Sequence, residues 1–138
     1  MKMKKWMIMF MSFLLSACGV SKAEKQHAYK EGDQIPYEVV TEEQLPKQMR
    51  ALYDKQHKQF QTYTVQQDGV TYVVIHLGER KTGGYGIEVI DVRYEKGKAI
   101  VYYKERKPAP DAVVTQAFTY PKVAIKIKTS VPIEIKKK

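Results

Sequence analysis

The sequence predicts an α+β domain, mainly antiparallel β, built as a small sandwich or half-open barrel with one amphipathic helix near the N-terminus of the domain. Three observations predict it. Helical spacing of apolar residues (Leu45, Met49, Leu52, Tyr53) occurs once, ahead of all the β-like segments. From Tyr63 onward the apolar residues fall in short runs of strand length. Two turn signals, Asp68-Gly69 and Glu95-Lys96-Gly97-Lys98, join neighbouring runs as hairpins would.

Taken in order, Tyr37 to Val40 reads as a short first strand. Thr41 follows as a helix N-cap, with Gln44 three residues on in a capping-box pattern and Glu42 and Glu43 at the positive end of the dipole. One helix over roughly 42–58 is expected, with Pro46 tolerated only in its first turn, so that the start lies at either Glu42 or Leu45. Gln61 to Gln66 is a strand, and Val70 to Leu77 is apolar on both faces, as a central strand must be. Tyr85, Ile87 and Val89 alternate, and then Ile90, Val92 and Tyr94 take the opposite parity. Either a β-bulge near Val89-Ile90 or burial on both faces accounts for that switch. Ala99 to Tyr103 returns from the hairpin, a loop holds Pro108 and Pro110, and Ala112 to Tyr120 is read as a further strand. From Pro121, Val123, Ile125, Ile127, Val131, Ile133 and Ile135 keep one parity. Pro132 and the interleaved lysines mark this last stretch as an edge.

The N-terminus has a different character. Lys2, Lys4 and Lys5 precede ten residues, Trp6 to Leu15, that are apolar except for Ser12, the order of a secretory signal. Leu15-Ser16-Ala17-Cys18 resembles the bacterial lipobox, in which the cysteine receives a diacylglyceryl group. Cys18 is the chain's only cysteine. Two acyl chains anchor a protein stably where one does not. The expected organisation is therefore a signal over 1–17, a lipidated Cys18 with a flexible polar tether over 18–34, and a single domain over 35–138. The expected location is the extracytoplasmic face of the cell membrane. The 24 basic and 15 acidic residues give +9, and loss of the signal leaves +6. That excess suits anionic lipids or wall polymers, and an exported lipoprotein rarely meets nucleic acid.

Catalytic signals are sparse. After Cys18 the remaining nucleophiles are Ser21, in the tether, and Ser130, between strands, neither in a nucleophile-elbow context. His27, His57 and His76 show no metal-ligand spacing, and no cofactor motif is present. Glu79, Glu88, Asp91, Glu95 and Asp111 read as solvated strand or loop residues. Most of the ten tyrosines read as core. The segment that stands out is Gly78-Glu79-Arg80-Lys81-Thr82-Gly83-Gly84-Tyr85. Paired glycines before a strand imply positive φ or a close approach. Arg80, Lys81, Thr82, Gly83, Gly84 and Tyr85 are the candidate partner-binding residues, with Gly83 and Gly84 offering main-chain groups and Tyr85 an aromatic anchor. On that view Arg80, Lys81 and an exposed Tyr85 contribute to capture and little to stability. The spacing is not that of a nucleotide-phosphate loop.

Tyr72 to Tyr85, followed by a hydrophobic strand, Pro108-Ala109-Pro110 and Thr119-Tyr120-Pro121-Lys122-Val123, resembles the PrcB C-terminal domain family over roughly residues 65–130. Gly78 to Tyr85 is the most specific part. The family takes its name from a lipoprotein subunit of a bacterial surface protease complex and lends no catalytic residues. Lys122 stands where the family often has an aromatic. The resemblance implies a non-catalytic accessory module that binds a secreted or surface protease, in an assembly or inhibitor-like role. The alternative class is a small exported enzyme or ligand carrier.

Overall fold

A computed structural model describes residues 28–138, so the expected signal over 1–17 and Cys18 lie outside the described residues. The elements are β1 (Tyr37–Val39), a 3₁₀ turn (Glu42–Gln44), α1 (Lys47–Asp54), β2 (Gln61–Gln67), β3 (Val70–His76), β4 (Gly86–Glu95), β5 (Lys98–Arg106), β6 (Lys122–Ile127) and β7 (Ile133–Lys137). They form two sheets, one of four strands in the order β1-β6-β3-β2 and one of three in the order β4-β5-β7. All pairings are antiparallel except β5 with β7. The domain is thus an open two-sheet sandwich with one short helix, the fold class read from the sequence.

Side-chain alternation divides the core in two. Val73 and Ile75 of β3 and Ile125 and Ile127 of β6 point between the sheets, where they meet Val89, Val92, Ala99 and Val101. Val74 and Ala124 point the other way, beneath Val40, Leu45 and Met49. The strand apolar on both faces is therefore an interior strand serving two layers, as expected. Both hairpins turn through left-handed residues, Asp68-Gly69 (φ 54 and 76) and Lys96-Gly97 (φ 50 and 77), the conformation that two-residue turns need. The bulge is present: the β4–β5 register passes from Val89↔Tyr103 to Asp91↔Tyr102 and leaves Ile90 as the extra residue.

Four expectations are corrected. The helix is not continuous over 42–58. Leu45 is extended (ψ 148) because the residue before a proline is pushed out of the helical region. The chain therefore makes a 3₁₀ turn, breaks at Leu45-Pro46, and only then forms α1. The capping pattern survives in part, on the 3₁₀ turn: the Thr41 N–H donates to Gln44 Oε1 at 2.9 Å. Residues 112–120 are not a strand; they contribute a single bridge, Arg80↔Thr119. The run from Pro121 is not one edge strand. β6 lies inside the first sheet, and the chain crosses at Thr129-Ser130 to place β7 at the edge of the second. Constant parity conceals the crossing because both halves face the same inter-sheet core. Finally, the last residues of the stretch expected as tether are held on β4. The Gly32 N–H reaches Tyr94 C=O and the Tyr94 N–H reaches Asp33 C=O, both at 2.8 Å.

His76 ends β3 on the face covered by α1 and is 1% exposed. Its Nε2 lies 3.1 Å from Leu52 C=O, so the neutral ring carries its proton there. Nδ1 is buried without a hydrogen-bond partner among the described residues. Burial pushes its pKa below the usual 6.5; the bond to Leu52 opposes this, and the nearby His57 and Lys122 add to it. A second N–H would have nothing to donate to, so the unfolded chain binds the proton more readily. Stability that is fully present above the ordinary histidine pKa is therefore lost as pH falls through and below it. Urea midpoints should drop between about pH 7.5 and pH 5.5. The drop should be smaller in His76→Leu, and an equal drop in both would assign the effect to other groups.

Candidate functional site

Three connections meet at one end of the sandwich: residues 55–60 after α1, the loop 77–85 after β3, and an arm, 107–121, between β5 and β6. Main-chain bonds fasten them together. The Glu79 N–H donates to Lys58 C=O at 3.0 Å and the Leu77 N–H to Pro121 C=O at 3.0 Å. Arg80 and Thr119 exchange both of their main-chain bonds, at 2.8 and 2.9 Å. Thr119 Oγ1 donates to Thr82 C=O at 2.8 Å, and the Tyr120 hydroxyl donates to Glu79 Oε2 at 2.8 Å.

The glycines are explained by this closeness. Gly78 has φ +95, and a Cβ there would stand 2.9 Å from Lys58 C=O. Gly84 has φ +88, and its Cβ would stand 2.7 Å from Pro108 Cβ and 3.0 Å from Val114 Cγ1. Gly83 has an ordinary φ, but a side chain would meet Thr115 Oγ1. The expectation that Gly83 and Gly84 offer a free main-chain surface is corrected at Gly83, whose N–H is donated to Thr115 C=O at 2.9 Å. The arm occupies the side of the loop where an added strand was expected. Read from the sequence as a loop with two prolines followed by a strand, the arm gave no sign that it would fold back in this way.

Arg80 also has a different role from the one expected. Its Nε donates to Glu105 Oε1 at 2.7 Å, and the Glu105 carboxylate is only 7% exposed. Lys137 Nζ approaches the other carboxylate oxygen at 3.4 Å, so one carboxylate links the loop, β5 and β7. Hydrogen bonding from Arg80 holds the Glu105 carboxyl below its usual 4.5 in spite of burial, and Lys137 adds to the effect. The same bond raises the Arg80 guanidinium. Arg80 lies 6.0 Å from the ring centre of the half-buried Tyr85. Thr82 is half-buried and Gly83 buried. Of the six candidates, Lys81 and Gly84 are exposed.

The apolar groups exposed at this end were not singled out from the sequence. Val113 is fully exposed, Phe118 is 62% exposed and Phe60 47%. Phe60 stacks on the buried Tyr103, with centroids 5.8 Å apart and planes 16° from parallel. Phe118 precedes the residue that pairs with Arg80, so its main chain is held while its ring faces water. Elsewhere, Pro36, Tyr37, Glu38, Lys126 and Lys128 line an open cleft of about 170 Å³, below the range of roughly 300–1,000 Å³ usual for small-molecule sites. Among the described residues no three His, Cys, Asp or Glu side chains are grouped to hold a metal. No described helix is long and apolar enough to cross a membrane.

A protein of Methanocaldococcus jannaschii, described as uncharacterized, is 32% identical over 74 residues, which cover 54% of this chain and 44% of that protein. The chain therefore spans less than half the length of that curated relative. No solved structure matches the chain significantly. The PrcB C-terminal family model matches residues 71–128, the stretch from β3 to β6 that holds both the 77–85 loop and the arm closing it. That is the family the sequence resembles over roughly residues 65–130.

Proposed function

We propose that this chain is a lipid-anchored, non-catalytic accessory module that binds a secreted or surface protease in an assembly or inhibitor-like role. The observation that carries the reading is the PrcB C-terminal match, because it spans the end of the domain where apolar side chains stand exposed on a held main chain. Val113, Phe118 and Lys81 are the contact residues on this reading. The arm supplies an apolar anchor and the loop a cation, the pairing of hot spot and rim common at interfaces. Arg80, Gly83 and Gly84 hold the loop in place. Cys18 supplies the membrane attachment, on the extracytoplasmic face.

Two measurements test the reading. Cys18→Ala should move the protein from the membrane fraction to the soluble fraction; retention after a high-salt wash rules out the lipid anchor. The full chain, purified from membranes in detergent, should capture a protease from the proteins of its own cell surface. Phe118→Ser with Val113→Ser should lower that capture at least about tenfold, the scale of a lost hot spot. The urea midpoint should barely change, since both side chains are exposed. Undiminished capture by the double variant moves the contact elsewhere. Turnover of a small substrate by the purified chain, without capture of any protein, favours the exported-enzyme alternative.

A further inference from the structure

Each sheet has two outer strands, and three of the four are protected. β1 is three residues long and follows Pro36. β4 is bulged at Ile90, and residues 32–35 bond to its outer side at Val92 and Tyr94. β7 follows Pro132 and carries Lys136 and Lys137. Short length, bulges, coverage, proline and lysine are the usual devices that keep an edge from pairing. β2 has none of them. It is seven residues long, Gln61-Thr62-Tyr63-Thr64-Val65-Gln66-Gln67, with no charge, proline or glycine. Its register with β3 is unbroken from Gln61↔His76 to Gln67↔Val70. In a chain of net charge +9, an uncharged, regular edge of this length stands out.

Read backwards, β2 keeps its pattern though not its residues: Gln61 and Gln67 stand at the ends, the apolar Tyr63 and Val65 flank Thr64, and the polar Thr62 and Gln66 lie between. From this the geometry points to a second copy of the chain as its partner, the two β2 strands pairing antiparallel about a two-fold axis at Thr64. The two four-stranded sheets then become one of eight strands. In this register Thr64 faces Thr64, Tyr63 faces Val65 twice, Thr62 faces Gln66 twice, and Gln61 faces Gln67 twice. Thr–Thr and aromatic–β-branched pairs are among the favourable cross-strand combinations. Every pair also keeps to one face. Tyr63 and Val65 lie on the side of α1, where they already pack half-buried against the second core cluster, and the threonines lie on the other.

Alternative registers are weaker. A shift by one residue would set Tyr63 against Thr64 and mix the two faces. A shift by two residues shortens the seam from seven pairs to five. Beyond its ends Phe60 comes opposite Asp68 and Lys58 opposite Val70, so no like charges meet across the axis. Such an interface is isologous and closed. Main-chain bonds supply the affinity and the side-chain pairs fix the register. The inference is independent of the protease reading, because the 77–85 loop and the arm are not part of this seam.

The test is disulfide trapping of the full chain in its own membranes. Thr64 is exposed, so Thr64→Cys is a surface change. In the proposed register the two substituted residues have Cα atoms about 4.5–5.5 Å apart, within disulfide reach. Mild oxidation should give a covalent dimer as the main product. The unsubstituted chain, whose only cysteine is Cys18, and the hairpin variant Lys96→Cys should give little. Differently tagged Thr62→Cys and Gln66→Cys chains, co-expressed, should cross-link to each other and not to themselves. Adding Thr64→Lys to both should abolish that product. The proposal is overturned if Thr64→Cys dimerises no more than Lys96→Cys. It is equally overturned if Thr62→Cys alone cross-links as well as Thr64→Cys. A Thr64→Cys adduct that contains a different protein would assign the edge to another partner.

Discussion

Gly78→Val should cost about 3–5 kcal/mol of folding stability, read as a large fall in the urea midpoint with little change in slope. Two independent terms add. The residue sits at φ +95, which a β-branched side chain adopts only under strain, and its Cβ would press on Lys58 C=O and on Gln59 main-chain atoms at 2.9 to 3.2 Å. Those neighbours are backbone, fixed by the Glu79 N–H bond to Lys58 C=O, so they cannot turn aside as a side chain would. Gly78→Ala separates the terms, because alanine keeps the contact and reduces the β-branched penalty. It should retain more than half of the loss. Gly84→Val meets the same φ problem, but its neighbours, Pro108 and Val114, are side chains on an arm bonded only at intervals. A smaller loss, about 1–3 kcal/mol, is expected there. If Gly78→Val leaves the midpoint unchanged, the 55–60 connection does not pack against the loop.

That contrast shows what the sequence conveys and what it does not. Local chemistry is legible. Asp68-Gly69 and Gly97 mark their turns because few residues other than glycine and Asp or Asn readily accept left-handed φ. The parity switch at Val89-Ile90 marks a bulge because a strand cannot change faces otherwise. β3 declares itself interior through apolar residues on both faces. Long-range placement is less legible. Val123 to Ile127 and Ile133 to Ile135 show one parity, yet they belong to different sheets, since each alternates toward the same shared core. The break at Leu45-Pro46 follows from the rule for residues before proline, but helical spacing across it suggested a single helix. At the candidate site, the glycines correctly marked a close approach. What approaches is the chain's own arm, and sequence spacing carries no signal for a partner 30 residues away.

Arg80→Ala should destabilise the domain by about 2–4 kcal/mol, where an interaction role alone would leave stability nearly unchanged. The carboxylate it leaves behind is 7% exposed and keeps only Lys137, at 3.4 Å on an exposed side chain. Removing one partner of a buried ion pair costs more than the pair is worth, because the remaining charge stays desolvated. Glu105→Gln added to Arg80→Ala should therefore recover a good part of the loss. Lys81→Ala, one residue along on the exposed surface, is the control and should change the midpoint little. The pH dependence gives a second readout. In the native protein the Glu105 carboxyl titrates below its ordinary 4.5, so its contribution is complete above that pH and is lost as acid protonates it. Without Arg80 the main cause of that depression is gone, so stability should depend less steeply on pH below about 4.5. A midpoint for Arg80→Ala equal to that of Lys81→Ala would show that the ion pair does not hold the loop. Arg80 would then return to the exposed binding role first read from the sequence.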